Sequence, residues 1–170
     1  MMKLTGLVLS LLLAVIFAVP AAAADDGQGF VLSVGAYNTD DLSDDTDVEG
    51  SPIEVGLEYR FKPFHLGKVP IGIALGASGN EDNSYWAYFS FRYDWKVNER
   101  FTITPQTGAS YYEEGDGRDL GGPLEFRSGL EFSFRLKQGG RIGLLFYHLS
   151  NADIYDENPG SNSLVLNWAF

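Results

Sequence analysis

The sequence predicts an all-β protein: an eight-stranded antiparallel transmembrane β-barrel with an apolar exterior and a charged, plugged lumen. Three observations carry that expectation. Period-two alternation of apolar and polar residues recurs in eight segments of roughly the ~9–11 residues that a tilted membrane strand needs. One parity of these segments is apolar and aromatic, while the other collects acids and arginines. The connections alternate between long acidic loops and short turns, an asymmetry of outer-membrane barrels.

The 170-residue chain begins with different chemistry. Lys3 gives a positive start, Leu7 to Val19 is an apolar run, and Ala22-Ala23-Ala24 precedes Asp25. Residues 1–24 therefore read as a cleaved secretory signal peptide, and residues 25–170 as one barrel domain. The apolar run is short for a transmembrane helix, and no second one follows. The part after the signal peptide holds all 23 acids and 11 of the 12 basic residues, a net charge of about −12. That balance argues against nucleic acid, which asks for a basic footprint. There is no cysteine, so export brings no disulfide framework.

The first strand spans about 29–38, with Phe30, Leu32, Val34 and Ala36 on one face. Asp40 to Glu49 follows with six acids; it lacks the spacing of an EF-hand and reads as a solvated loop, not a metal site. The second strand, about 52–61, alternates Ile53, Val55, Leu57, Tyr59 and Phe61 with Glu54, Gly56, Glu58 and Arg60. His65 falls in the turn from Lys62 to Lys68 and reads as a surface residue. The third strand, about 69–78, sets Ile71, Ile73, Leu75 and Ala77 against small residues. The fourth, about 84–95, sets Tyr85, Ala87, Phe89, Phe91, Tyr93 and Trp95 against Trp86, Tyr88, Ser90, Arg92 and Asp94. The fifth, about 100–112, contains Pro105, which predicts a bulge or local break. The sixth, about 123–136, opposes Leu124, Phe126, Leu130, Phe132, Phe134 and Leu136 to Glu125, Arg127, Glu131 and Arg135. The seventh covers about 141–150 and the eighth about 162–170.

Two barrel types share this strand count. A soluble carrier barrel is apolar inside, whereas a membrane barrel is apolar outside. Five acids (Glu54, Glu58, Asp94, Glu125, Glu131) and four arginines (Arg60, Arg92, Arg127, Arg135) share the non-aromatic faces. Such a set can pair within a narrow lumen, where an unpaired charge is costly. Tyr59, Phe61, Tyr85, Tyr93, Trp95, Phe101, Tyr111 and Trp168 lie near strand ends, as interfacial girdles do. Eight strands leave no useful channel, which argues against a porin.

The chemistry-bearing stretch is Phe146-Tyr147-His148-Leu149-Ser150-Asn151-Ala152, followed by Asn158-Pro159-Gly160-Ser161-Asn162. Ile142, Leu144, Phe146, His148 and Ser150 share one strand parity. A base and a hydroxyl nucleophile thus stand side by side at the end of an apolar row. Asn162, on the lipid-facing parity of the last strand, comes within reach across the hairpin. Polar groups facing lipid are expensive and ask for a reason; a wet strand end just above the bilayer is the plainer account.

This stretch resembles the motif of the lipid A 3-O-deacylases of the PagL type, specifically over residues 146–166. The terminal Phe170 likewise resembles the last-residue aromatic of outer-membrane proteins. The resemblance implies an outer-membrane serine esterase that removes the 3-position acyl chain of lipid A, without a cofactor or metal. Its partners would be lipopolysaccharide and outer-membrane lipids. It implies His148 and Ser150 as the catalytic pair, with Asn158, and Asn151 beside it, on the oxyanion and substrate side. The third triad member of that family is a Glu, and ungapped counting puts Asn162 there. An amide orients an imidazole but supplies no charge. Either Asn162 serves in a slower enzyme, or a loop acid (Asp153, Asp156 or Glu157) supplies the charge, or the protein is a non-catalytic barrel of the OmpA/OmpX type.

Overall fold

The computed structural model describes residues 27–39 and 51–170. The signal-peptide expectation for residues 1–24 and the acidic loop Asp40–Glu49 lie outside the described residues. The strands are β1 Gly29–Ala36, β2 Ile53–Arg60, β3 Phe64–Leu66, β4 Val69–Asn80, β5 Tyr85–Arg92, β6 Trp95–Lys96, β7 Phe101–Glu113, β8 Leu124–Arg135, β9 Arg141–Ser150 and β10 Ser161–Ala169. Leaving aside the short β3 and β6, each strand pairs antiparallel with the next, and β10 returns to β1. The seam is completed where Phe30 and Phe170 exchange backbone hydrogen bonds of 3.1 and 2.9 Å. Closure leaves the eight-stranded sheet without an open edge, the condition for strands in lipid.

The faces are those of a membrane barrel. Leu57, Leu75, Phe89, Phe91, Phe132, Phe134, Leu144, Phe146 and Leu166 are all exposed, whereas Glu54, Glu58, Arg60, Arg127 and Glu131 are buried. Most of the buried charges are answered by a partner; Glu125, fully buried, is the exception, with neither carboxylate oxygen hydrogen-bonded among the described residues. Arg60 Nε donates to Glu58 at 2.6 Å and its terminal nitrogens grip Glu131, which also accepts from Asn167 at 2.7 Å. The Arg127 guanidinium lies between the rings of Tyr88 and Tyr147, 4.2 and 4.0 Å from their centroids. Tyr147 donates to Glu54 at 2.6 Å and Tyr88 to Glu58 at 3.1 Å. At the short-turn end, Asp94 receives Arg92 at 2.6 Å and Arg141 at 2.8 Å. Arg141 belongs to the lumen although its place beside a turn hid it; Arg135, expected inside, is only half-buried at its strand end.

Pro105 corrects one expectation. Strand β7 runs through it without a bulge, with Pro105 opposite Leu130. The break falls in the neighbour instead. β5 and β6 keep one register against β7 (Arg92↔Gln106, then Trp95↔Ile103), and the gap between them lies opposite Pro105. Tyr93 N–H still reaches the Pro105 carbonyl at 3.1 Å, but proline has no N–H to return. The 62–68 turn also forms more structure than expected, since β3 folds back on β4 and places His65, exposed, opposite Pro70.

Candidate active site

Strands β9 and β10 deliver the site residues. Along β9 the outward parity reads Ile142, Leu144 and Phe146, all exposed, then His148 and Ser150, both half-buried. Asn162 stands directly opposite His148 in the β9–β10 ladder. Their side chains meet, with His148 Nδ1 and Asn162 Oδ1 2.8 Å apart. With the amide oxygen as acceptor, Nδ1 is the donor, which leaves Nε2 as the nitrogen that can serve as base. Ser150 follows on the same face, one strand repeat from the imidazole and diagonal to Asn162. It makes no hydrogen bond to His148 in this structure. Such contacts tighten when substrate arrives.

The connection between the two strands is built around the site. Ala152 and Asp153 both take left-handed backbone angles, φ 54° and 61°, so the chain turns sharply as it leaves Ser150 and Asn151. Asn158 fastens the turn by accepting the Asn151 N–H at 3.0 Å and donating to Asp153 at 2.9 Å. That leaves the second hydrogen of its amide nitrogen for another acceptor. Gly160, at φ 63°, brings the loop back against the imidazole. A Cβ there would sit 2.8 Å from His148 Cε1 and 3.1 Å from Nε2.

Asn151 departs from expectation. Its side chain is fully buried and donates to the carbonyls of Leu120 and Glu157, both at 2.7 Å. It ties the β7–β8 loop to the β9–β10 loop and is turned away from the outer wall. The same two loops touch at Gly121, whose missing side chain makes room for the Glu157 carbonyl. The loop acids are likewise placed elsewhere. Asp153 is engaged by Asn158, while Asp156 and Glu157 line an open cleft with Asp119, Gly121, Ile154 and Tyr155. Of the alternatives left open by the sequence, it is Asn162 that meets Nδ1. Among the described residues no group of three or more His, Cys, Asp or Glu could hold a metal ion.

Two outward residues were missed by the sequence reading. Ser128 stands opposite His148 on β8, and Thr107 stands opposite Ser128 on β7. Their hydroxyl oxygens are 3.1 Å apart on the exposed face. Both occupy gaps in otherwise apolar parities, between Phe126 and Leu130 and between Ile103 and Ala109, and those gaps were the available signal.

Residues 53–170, from β2 to the last residue, match the family described as Lipid A 3-O-deacylase (PagL). The chain belongs to that family. A curated relative, the lipid A deacylase PagL of Bordetella bronchiseptica, is 32% identical over 78 residues, which is 45% of this chain and 44% of that protein. The crystal structure of the outer membrane enzyme PagL superposes with a TM-score of 0.61 at 18% identity, covering 82% of this PagL-family chain and 96% of the other. A de novo designed transmembrane β-barrel gives a TM-score of 0.53 at 14% identity, covering 87% of this chain and 98% of the design. At those identities the two structures speak for the barrel and not for the chemistry.

Proposed function

We propose that this PagL-family barrel is an outer-membrane serine esterase that removes the 3-position acyl chain of lipid A in the outer leaflet. The observation that carries the reading is the 2.8 Å contact between His148 Nδ1 and Asn162 Oδ1, with Ser150 next along the same lipid-facing row. An ester of a membrane lipid can reach a site on the outer wall without leaving the bilayer. The export expected from residues 1–24 brings the chain to that membrane.

His148 Nε2 takes the Ser150 proton as Ser150 Oγ adds to the ester carbonyl. The resulting oxyanion is held by the free N–H of Asn158 and by backbone N–H groups of the turn. The imidazolium, steadied by Asn162, returns its proton to the departing sugar oxygen, and the ester bond breaks. Water then attacks the acyl-serine with His148 again as base, releasing a 3-hydroxy fatty acid and restoring Ser150. No step asks for a cofactor.

The test is mass spectrometry of lipid A from cells expressing the wild type or Ser150→Ala. Loss of one 3-hydroxyacyl chain with the wild type alone is the expected result. Unchanged lipid A beside a folded, membrane-inserted wild type would overturn the proposal and leave a non-catalytic barrel.

A further inference from the structure

A row of polar side chains runs obliquely across the outer wall through His148. Asn162 on β10, His148 on β9, Ser128 on β8 and Thr107 on β7 are successive partners across three ladders. Beyond Thr107 the next partner is Phe91, where the row returns to apolar wall. The first two members have a role in the proposed chemistry. The last two do not, yet they stand among exposed Phe126, Leu130, Phe91 and Phe146.

Their depth makes them costly. The Tyr111 hydroxyl donates to Glu113 at the outer end of β7, which marks the interfacial level. Thr107 is four residues further in, so it lies roughly 10 Å below that level at ~3.4 Å per residue and ~40° tilt. Ser128 is its direct partner on β8, within about 3 Å of that depth at ~4.8 Å between strands and the same tilt. Hydroxyls held inside an apolar band default to a functional reading. Each satisfies the other only in part. The single bond between them uses one of two donors and one of four acceptor sites. A group that both donates and accepts completes the pair, and among the parts of a lipid a chain hydroxyl does so most simply.

We propose that Thr107 and Ser128 form a specificity subsite that binds a hydroxyl on the acyl chain being cleaved; this rests on the esterase reading given above. The spacing agrees. Ser128 is the diagonal neighbour of Ser150, whose direct partner is Phe126, and diagonal neighbours are ~7–8 Å apart. A carbonyl carbon at Ser150 Oγ and a hydroxyl three bonds along the chain at Ser128 Oγ together bridge that span. A chain without the hydroxyl leaves the pair facing hydrocarbon, so the subsite discriminates by the polar groups it would strand.

The experiment is a binding competition that needs no turnover. Purified Ser150→Ala protein in detergent micelles is offered equal amounts of two synthetic glucosamine esters, one with a 3-hydroxyacyl chain and one with the plain chain of equal length. Native mass spectrometry reads the ratio bound. We expect about a tenfold preference for the hydroxylated ester. The preference should fall to near one in Ser150→Ala/Ser128→Ala/Thr107→Val and return with Ser128→Thr, which keeps a hydroxyl. A gel-mobility shift on heating verifies that each barrel is folded; if the triple variant fails to fold, the single Thr107→Val in the Ser150→Ala background takes its place. No preference before these substitutions, or an undiminished one after them, overturns the subsite. An inactive wild type with an intact preference would sink the esterase and spare the subsite.

Discussion

Replacing Gly160 by alanine isolates the geometry of the imidazole from the chemistry of its partners. The added Cβ would stand 2.8 Å from His148 Cε1 and 3.1 Å from the Leu149 carbonyl oxygen. Carbon atoms pack best at ~3.5–4.0 Å, so the ring must retreat by about 0.7 Å or more. The Nδ1 to Asn162 contact, 2.8 Å in the native site, would then stretch beyond a useful hydrogen bond. Misplacement on the order of 1 Å can lower turnover ~100-fold. Alanine also dislikes the left-handed φ of 63° at this position, a backbone penalty of about 1–2 kcal/mol. Gly67 separates the two effects. It has nearly the same φ, 65°, but nothing within 4 Å of its missing Cβ. Release of fatty acid from lipid A in micelles, measured by mass spectrometry, should therefore fall ~100-fold in Gly160→Ala and hold steady in Gly67→Ala. Both variants should lose stability through the backbone penalty, and Gly160→Ala more, since its Cβ also crowds His148 and the Leu149 carbonyl; the midpoint of heat-induced gel mobility reads both. Undiminished turnover in a folded Gly160→Ala barrel would refute the placement of His148 as base.

Asn162→Ala should lower turnover by ~10²-fold or more, while Asn162→Asp should raise it about tenfold by adding the charge that steadies the imidazolium; steady-state rates on lipid A decide both. Asn151→Ala strips the Leu120 and Glu157 carbonyls of their buried donor. At about 1–3 kcal/mol for each stranded group, the two loops should become protease-sensitive and turnover should decline, as limited proteolysis and activity together report. Arg60→Ala leaves Glu58 and Glu131 facing each other in the lumen, and the urea midpoint of the folded gel band should drop by the equivalent of ~3–5 kcal/mol. An unmoved midpoint would mean that the lumen pairs contribute nothing to stability.

The barrel was legible because lipid and lumen ask for opposite residues, so every strand carries its orientation in its parity. Glu54, Glu58, Arg60, Arg127 and Glu131 are buried where that parity puts them. His148 and Ser150 were legible for the same reason, as polar residues on an apolar row. What escaped was set by contacts across strands. Ser128 and Thr107 are unremarkable singly and gain meaning only when the β7–β8 and β8–β9 registers align them with His148. Pro105 disturbs the ladder of its neighbour and not its own strand, which one strand's pattern does not reveal. Asn151 follows Ser150 and takes the inward parity, and only its bonds to two loops show it as an anchor. Arg141 sits at a turn where parity is weak, and its partner Asp94 comes from the distant break between β5 and β6.

The ion pairs of the lumen also act as a key for strand register. They join the front of the chain to the back: Arg60 on β2 grips Glu131 on β8, and Glu54 on β2 receives Tyr147 on β9. A slip of one residue anywhere in β2 would turn Glu54, Glu58 and Arg60 together toward lipid. Charged side chains on the lipid face of a barrel cost up to ~2–4 kcal/mol for arginine at mid-bilayer, and less for acids. The misaligned barrel is thereby penalised several times over, before any packing is considered. Because Tyr147 lies next to His148 on β9, the alignment that satisfies the key inside also sets the height of the polar row outside. A protein with no cysteine to lock its shape can in this way check, by charge alone, that the reacting face has been assembled against the right stretch of wall.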